Sequence, residues 1–195
     1  MTYRPRSLTT AAELRAFAHP LRQSLYEQIV LFGPLTATQL ADRVGESPSN
    51  CSWHLRKLAE HGFVEEAPGG SGRNRPWQAA SKGLEWSDAD GDAETSRAGE
   101  ALIRMLLDRE RSRRDAAVEH LRADTKEWRA AAGTHQSLLW LTADELSGLN
   151  AKIQELCTAS LNRHEDPTLR PEGARLCSLV AWAIPTYDLV DGSEV

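Results

Sequence analysis

Residues 35–62 read LTATQLADRVGESPSNCSWHLRKLAEHG, and the punctuation of this stretch sets the architecture around it. Thr36 opens a short helix through Arg43 with Leu40 and Ala41 inward, and Val44-Gly45-Glu46 makes a tight turn. Ser47 is a suitable N-cap and Pro48 a suitable first-turn residue for a second helix that runs to about His61, where Gly62 ends it. On that helix Cys51, Leu55 and Leu58 recur at i, i+4 and i+7, so they can lock against Leu40 and Val44 across the turn. The opposite face then carries Ser49, Ser52, Trp53, Arg56 and Lys57. Such types suit a major groove, because hydroxyls bond base edges or phosphates, a guanidinium can bond guanine twice, and an ammonium neutralises phosphate.

Upstream, two helices are expected at about Thr10–Phe17 and Pro20–Phe32, the second with an apolar stripe of Leu21, Leu25, Ile29 and Phe32 that Gly33-Pro34 stops. Downstream, Phe63–Ala67 has strand composition, residues 68–74 are rich in glycine, and Arg75–Ala80 can return as a second strand. Three helices, a tight turn and a glycine-ended hairpin are the plan of a winged helix-turn-helix, centred on residues 35–80.

Phe17-Ala18-His19-Pro20-Leu21-Arg22, Leu35-Thr36-Ala37-Thr38-Gln39-Leu40-Ala41 and Ser49-Asn50-Cys51-Ser52-Trp53-His54-Leu55-Arg56-Lys57-Leu58 together resemble the ArsR-type repressors of bacteria, over roughly residues 10–86. The resemblance implies a homodimer whose two recognition helices enter successive major grooves of a near-palindromic operator in double-stranded DNA, about one helical turn (roughly 34 Å) apart. It implies that Ser49, Ser52, Trp53 and His54 lie on or near the reading face, with Ser47 and Asn50 at the start of the same helix. It also implies that Arg73, Asn74 and Arg75 form the tip of the wing, placed for phosphate or minor-groove contact.

The charge balance has to be divided before it is interpreted. The chain of 195 residues carries a net charge of −5. Residues 1–86 hold 10 Lys and Arg against 8 Asp and Glu, whereas residues 87–195 hold 13 against 20. The amino-terminal part is thus +2 and the remainder −7, so any phosphate-binding surface belongs to the first part.

Function classes can also be set aside. Cys51, Cys157 and Cys177 are an odd, scattered set without a CxxC pair, read as reduced thiols. Soft-metal sensing needs converging thiolates or imidazoles, and Cys51 stands alone in its motif, so neither a metal site nor a cofactor is expected. No phosphate-binding loop, HExxH or GxSxG appears, so the chain is not expected to be an enzyme and no catalytic residue is assigned. With no signal-like amino terminus or long apolar run, a cytoplasmic protein with no membrane partner is expected.

The rest of the chain is organised more loosely. Residues 8–86 are taken as the DNA-binding domain, 87–94 as an acidic linker, and 95–195 as a dimerisation and effector region. One long helix is expected from Thr95 to about Ala132, packing on a partner because a small domain cannot cover it. Two apolar stretches, Ser137–Leu141 and Leu176–Ile184, read as strands on either side of a helix carrying Leu146, Leu149, Ile153 and Leu156, a small α+β unit. The expected fold is therefore mainly α with small β. The segments 138–146 and 170–175 are similar to an extension on some actinobacterial ArsR-type regulators. Trp128, Trp140, Trp182 and Tyr187 are candidate walls for a small-molecule effector pocket, while binding to another copy or to a partner protein is the competing role of the tail. The alternative for the whole chain is a winged-helix protein-interaction module without specific DNA binding.

Overall fold

A computed structural model describes residues 5–70, 75–81, 83–86 and 92–187, and contacts divide the chain into two compact units, residues 1–117 and 118–195. In the first unit, β1 (Arg6–Leu8) precedes α1 (Ala11–Phe17), α2 (Pro20–Phe32), α3 (Ala37–Val44) and α4 (Pro48–Glu60). Then follow β2 (Val64–Glu66), β3 (Trp77–Ala79), β4 (Leu84–Trp86) and the long α5 (Ala93–Arg122), of which residues up to 117 belong to this unit. The chain is mainly helical with small sheets, as its patterning requires.

Helix starts follow local chemistry. Thr10 and Thr36 each accept the backbone N–H three residues on, and Glu13 and Gln39 reach back to the cap, closing reciprocal capping boxes. His19 caps α2 through Nδ1, with Pro20 behind it. Gly45 ends α3 at φ +70°, a left-handed conformation that costs glycine little and lets the chain turn sharply into α4.

The core of this unit joins every layer. Leu14 and Phe17 of α1, Leu25 and Ile29 of α2, Leu40 of α3, and Leu55 and Leu58 of α4 pack with Phe63 and Val64 at the start of the wing. Phe63 stacks on Phe17 at 5.1 Å, and Tyr26 meets Phe17 edge-on at 5.3 Å. On α2 the inward face is Gln23, Leu25, Tyr26 and Ile29, with Leu21 half-buried. Phe32, expected on that stripe, is exposed at the end of the helix with the Arg43 guanidinium 4.6 Å over its ring.

β2 and β3 pair antiparallel with Val64 opposite Ala79, and Leu35 adds a bridge to Trp77 on the other edge of β3. The wing hairpin is therefore anchored to the entry of α3. β1 and β4 pair parallel, Arg6 opposite Leu84, an arrangement the sequence reading did not contain. Of the proposed linker, residues 87–91 lie outside the described residues, and Asp92 Oδ1 accepts the N–H groups of Glu94 and Thr95 to start α5.

The long helix, expected to pack on a partner because a small domain cannot cover it, begins by packing on its own unit. Ala98 and Leu102 sit in the core of the first unit, Leu106 packs against it, and Arg113 holds both Glu27 carboxylate oxygens on α2 at 2.7 and 2.9 Å. The helix also stops earlier than the pattern suggested. Thr125 caps a separate α6 (Lys126–Ala131), and Asp124 accepts the Thr125 N–H at 2.7 Å, a local pairing that competes with helix continuation.

The second unit contains α6, α7 (Ala143–Thr158), α8 (Asn162–Glu165) and a 3-10 turn at Pro167–Leu169. Thr142 and Glu145 form the capping box of α7, and Leu146, Leu149 and Ile153 are its half-buried side. Arg175 bonds Asp124 at 2.5 Å and lies 4.4 Å over the Trp128 ring. That hydrogen bond, with the Thr125 N–H and the nearby guanidinium charges, holds the Asp124 carboxyl below its ordinary range. The two apolar stretches expected as strands are not paired in any ladder among the described residues, so the carboxy-terminal unit is helical with unpaired segments rather than α+β. A strand needs a neighbouring strand, and the described residues of the single chain offer these stretches none.

Candidate nucleic-acid interface

The geometry of α4 follows from its two ends. Ser47 accepts the Asn50 N–H at 3.2 Å, Pro48 fills the first turn, and the i, i+4, i+7 line of Cys51, Leu55 and Leu58 is fully buried against α2 and α3. With that line fixed inward, the opposite face of the helix must point outward. Ser49, Trp53 and Arg56 are exposed there, flanked by the half-buried Ser52 and Lys57.

These side chains carry a definite set of partners. Ser47 Oγ and Ser49 Oγ are 3.2 Å apart, and Asn50 donates its amide N–H to Glu46 at 3.0 Å, which places Asn50 in the turn as well as on the helix. Lys57 bonds Glu60 at 2.7 Å and lies 5.9 Å from the Trp53 ring. Trp53 is 48% exposed, its edge against His54 at 4.7 Å. Arg56 is exposed and forms no ion pair among the described residues. Of the wing-tip trio, Arg73 and Asn74 lie outside the described residues; Arg75 is exposed and paired with Glu66 at 2.5 Å.

His54 has a different environment from its neighbours. It is only 6% exposed, its ring 4.4 Å from that of His19 at the start of α2, and its Nδ1 is buried without a hydrogen-bond partner among the described residues. The spacing 51, 54, 55, 58 is itself a complete inward helical stripe, a signal that the reading of the sequence did not use. A shallow cleft beside the two imidazoles, of about 470 Å³, is lined by Leu21, Ser24, Val44, Glu46 and Asn50 among others.

Burial, with the Arg22 charge adding to it, lowers the His19 pKa; burial, then His19 and Arg22, lowers that of His54, with Glu46 opposing. An unfolded imidazole titrates near about 6.5, so below that pH the unfolded chain binds more protons than the folded one. Stability conferred by the neutral pair is thus complete above about pH 6.5 and is lost as pH falls through that value toward the lower folded-state values. Thermal melts of the wild type across this window should show the amino-terminal transition falling on acidification, and His54→Gln should flatten part of the slope. An unchanged slope in the variant would remove His54 as the source.

Burial raises the pKa of the Cys51 thiol, with Glu46 adding to the effect, which disfavours a reactive thiolate. Among the described residues no group of three His, Cys, Asp or Glu is arranged to hold a metal ion. No described helix is long and apolar enough to cross a membrane. In the second unit, Trp140, Trp182 and Tyr187 stand exposed, and Trp128 is half-buried beneath Arg175.

The comparisons with known proteins bear on the same elements. The chain finds no match among curated proteins. A family model described as a helix-turn-helix domain matches residues 17–67, from the last residue of α1 through α2, α3 and α4 to one residue past the first wing strand. The amino-terminal unit is built on a helix-turn-helix domain, the framework of a DNA-binding regulator.

Proposed function

We propose that the protein is an ArsR-type transcriptional repressor that binds a near-palindromic operator as a homodimer. The observation that carries this reading is the outward face of α4, where Ser49, Ser52, Trp53, Arg56 and Lys57 stand opposite a fully buried Cys51, Leu55 and Leu58. Arg56 is the base-reading group, the hydroxyls and Lys57 hold phosphate and base edges, and Ser47 and Asn50 fix the start of the helix. Arg75, with Arg73 and Asn74, follows the backbone from the wing. His54 acts from beneath this surface, as packing between α4 and the start of α2. Operator release is governed by the carboxy-terminal region, in response to a small-molecule effector.

Genomic fragments selected by the protein, then measured by fluorescence anisotropy over a salt series, test the proposal. Specific binding exceeding non-specific binding by about a thousandfold or more is expected. An absence of binding to any selected duplex at low salt would instead leave a protein-interaction module.

The wing supplies a narrower expectation. Glu66 engages Arg75 in the free protein, so Glu66→Gln frees that cation and removes a carboxylate from the DNA-facing side. Affinity should rise by a few-fold, in keeping with the roughly 0.2–1 kcal/mol of an exposed ion pair. An unchanged affinity would place the wing away from the duplex, and weaker binding would show that the pair itself holds Arg75 in its contact position.

A further inference from the structure

The second unit leaves a set of large apolar side chains uncovered. Leu138, Trp140, Leu176, Val180, Trp182 and Ile184 are all exposed, Trp140 to 80% and Trp182 to 64%. They fall in the two stretches that carry strand composition but no ladder, and residues 130–142 and 176–187 contain no Asp, Glu, Lys or Arg. The second stretch is exposed along almost its whole length, Leu179 included. Its half-buried residue is Ala183, whose carbonyl accepts from the Asn150 side chain of α7 at 3.3 Å.

We infer that these two stretches are strands completed by a second copy of this chain, forming a sheet shared across the two-fold axis of the dimer. Three observations favour that occupant. Antiparallel pairing of one strand with its own copy is self-complementary about a two-fold axis, so no second sequence is needed. The absence of formal charge lets identical segments meet without like-charge repulsion. The area is also of the right order: the two tryptophans can bury about 150–250 Å² each, and with Leu138, Leu176, Val180 and Ile184 the patch comes toward the roughly 800 Å² per partner of a stable interface.

This inference rests on the homodimeric reading above, and its test is made without DNA, so that its failure leaves the DNA-binding reading standing. Light scattering and sedimentation of the full chain should give a dimer, and hydrogen exchange should show protected amides in residues 176–184. Trp182→Asp should raise the dimer dissociation constant at least about thirtyfold and deprotect those amides, with the melting of the amino-terminal unit unchanged. A monomeric wild type at micromolar concentration, a wild-type dimer with unprotected amides in 176–184, or a Trp182→Asp chain that stays dimeric with protection intact would each overturn it. A monomer that protects these amides only when a different protein is added would assign the surface to that partner and overturn it equally.

Discussion

Leu55→Ala is expected to lower the stability of the amino-terminal unit by about 2–5 kcal/mol, a large share of the roughly 5–15 kcal/mol of an ordinary domain. Leu55 is fully buried at the middle of α4, in the same core as Leu25, Leu40 and Phe63. Truncating it removes apolar contacts and leaves a cavity whose walls belong to several elements that cannot collapse together. The measurement is urea unfolding followed by the transition of residues 1–117, with Leu156→Ala, an exposed position on α7, as a control expected to change little. A loss under about 1 kcal/mol at Leu55 would contradict the assignment of α4's inward face.

Arg56→Ala is expected to weaken operator binding by about 1–3 kcal/mol and to relax the preference at one base pair of each half-site. The side chain is exposed on the face of α4 proposed to read DNA and has no ion pair among the described residues, so a guanine contact would require no partner to be given up. Lys57→Ala offers the contrast. Its ammonium is held by Glu60, and as a phosphate contact it should lower affinity evenly across sequences. Anisotropy with matched and single-substituted duplexes separates the two, and an unchanged affinity and footprint for Arg56→Ala would take it off the reading face.

Much of the first unit was legible because its signals are local. Pro20, Gly45, Ser47, Pro48 and Gly62 act through the backbone of their own turn, and the Cys51, Leu55, Leu58 period needs no knowledge of the rest of the chain. β1 was not legible, since Arg6–Leu8 is three residues long and becomes a strand only by parallel pairing with Leu84–Trp86, far along the chain. The end of α5 was missed because its apolar periodicity continues past Asp124-Thr125, while the side chains of those two residues bond the local backbone. Of the candidate site, the exposed face of α4 was readable from periodicity. The inward turn of His54 was hidden by a motif resemblance that grouped it with its polar neighbours.

The role of α5 in the core changes how the chain can be divided. A cut at residue 94 would strip Ala98 and Leu102 from the amino-terminal core, so an isolated DNA-binding fragment needs to run to about residue 117.

Two ion pairs among the described residues, Lys57 with Glu60 and Arg75 with Glu66, lie on the surface proposed to face DNA. Each carboxylate serves as an internal counterion, occupying the place that dissolved anions would otherwise take beside a surface cation. On binding, these cations exchange one tethered anion for another, so fewer dissolved ions are set free than there are phosphate contacts. On the proposed mode of binding, the expected result is a salt dependence less steep than the number of basic groups implies.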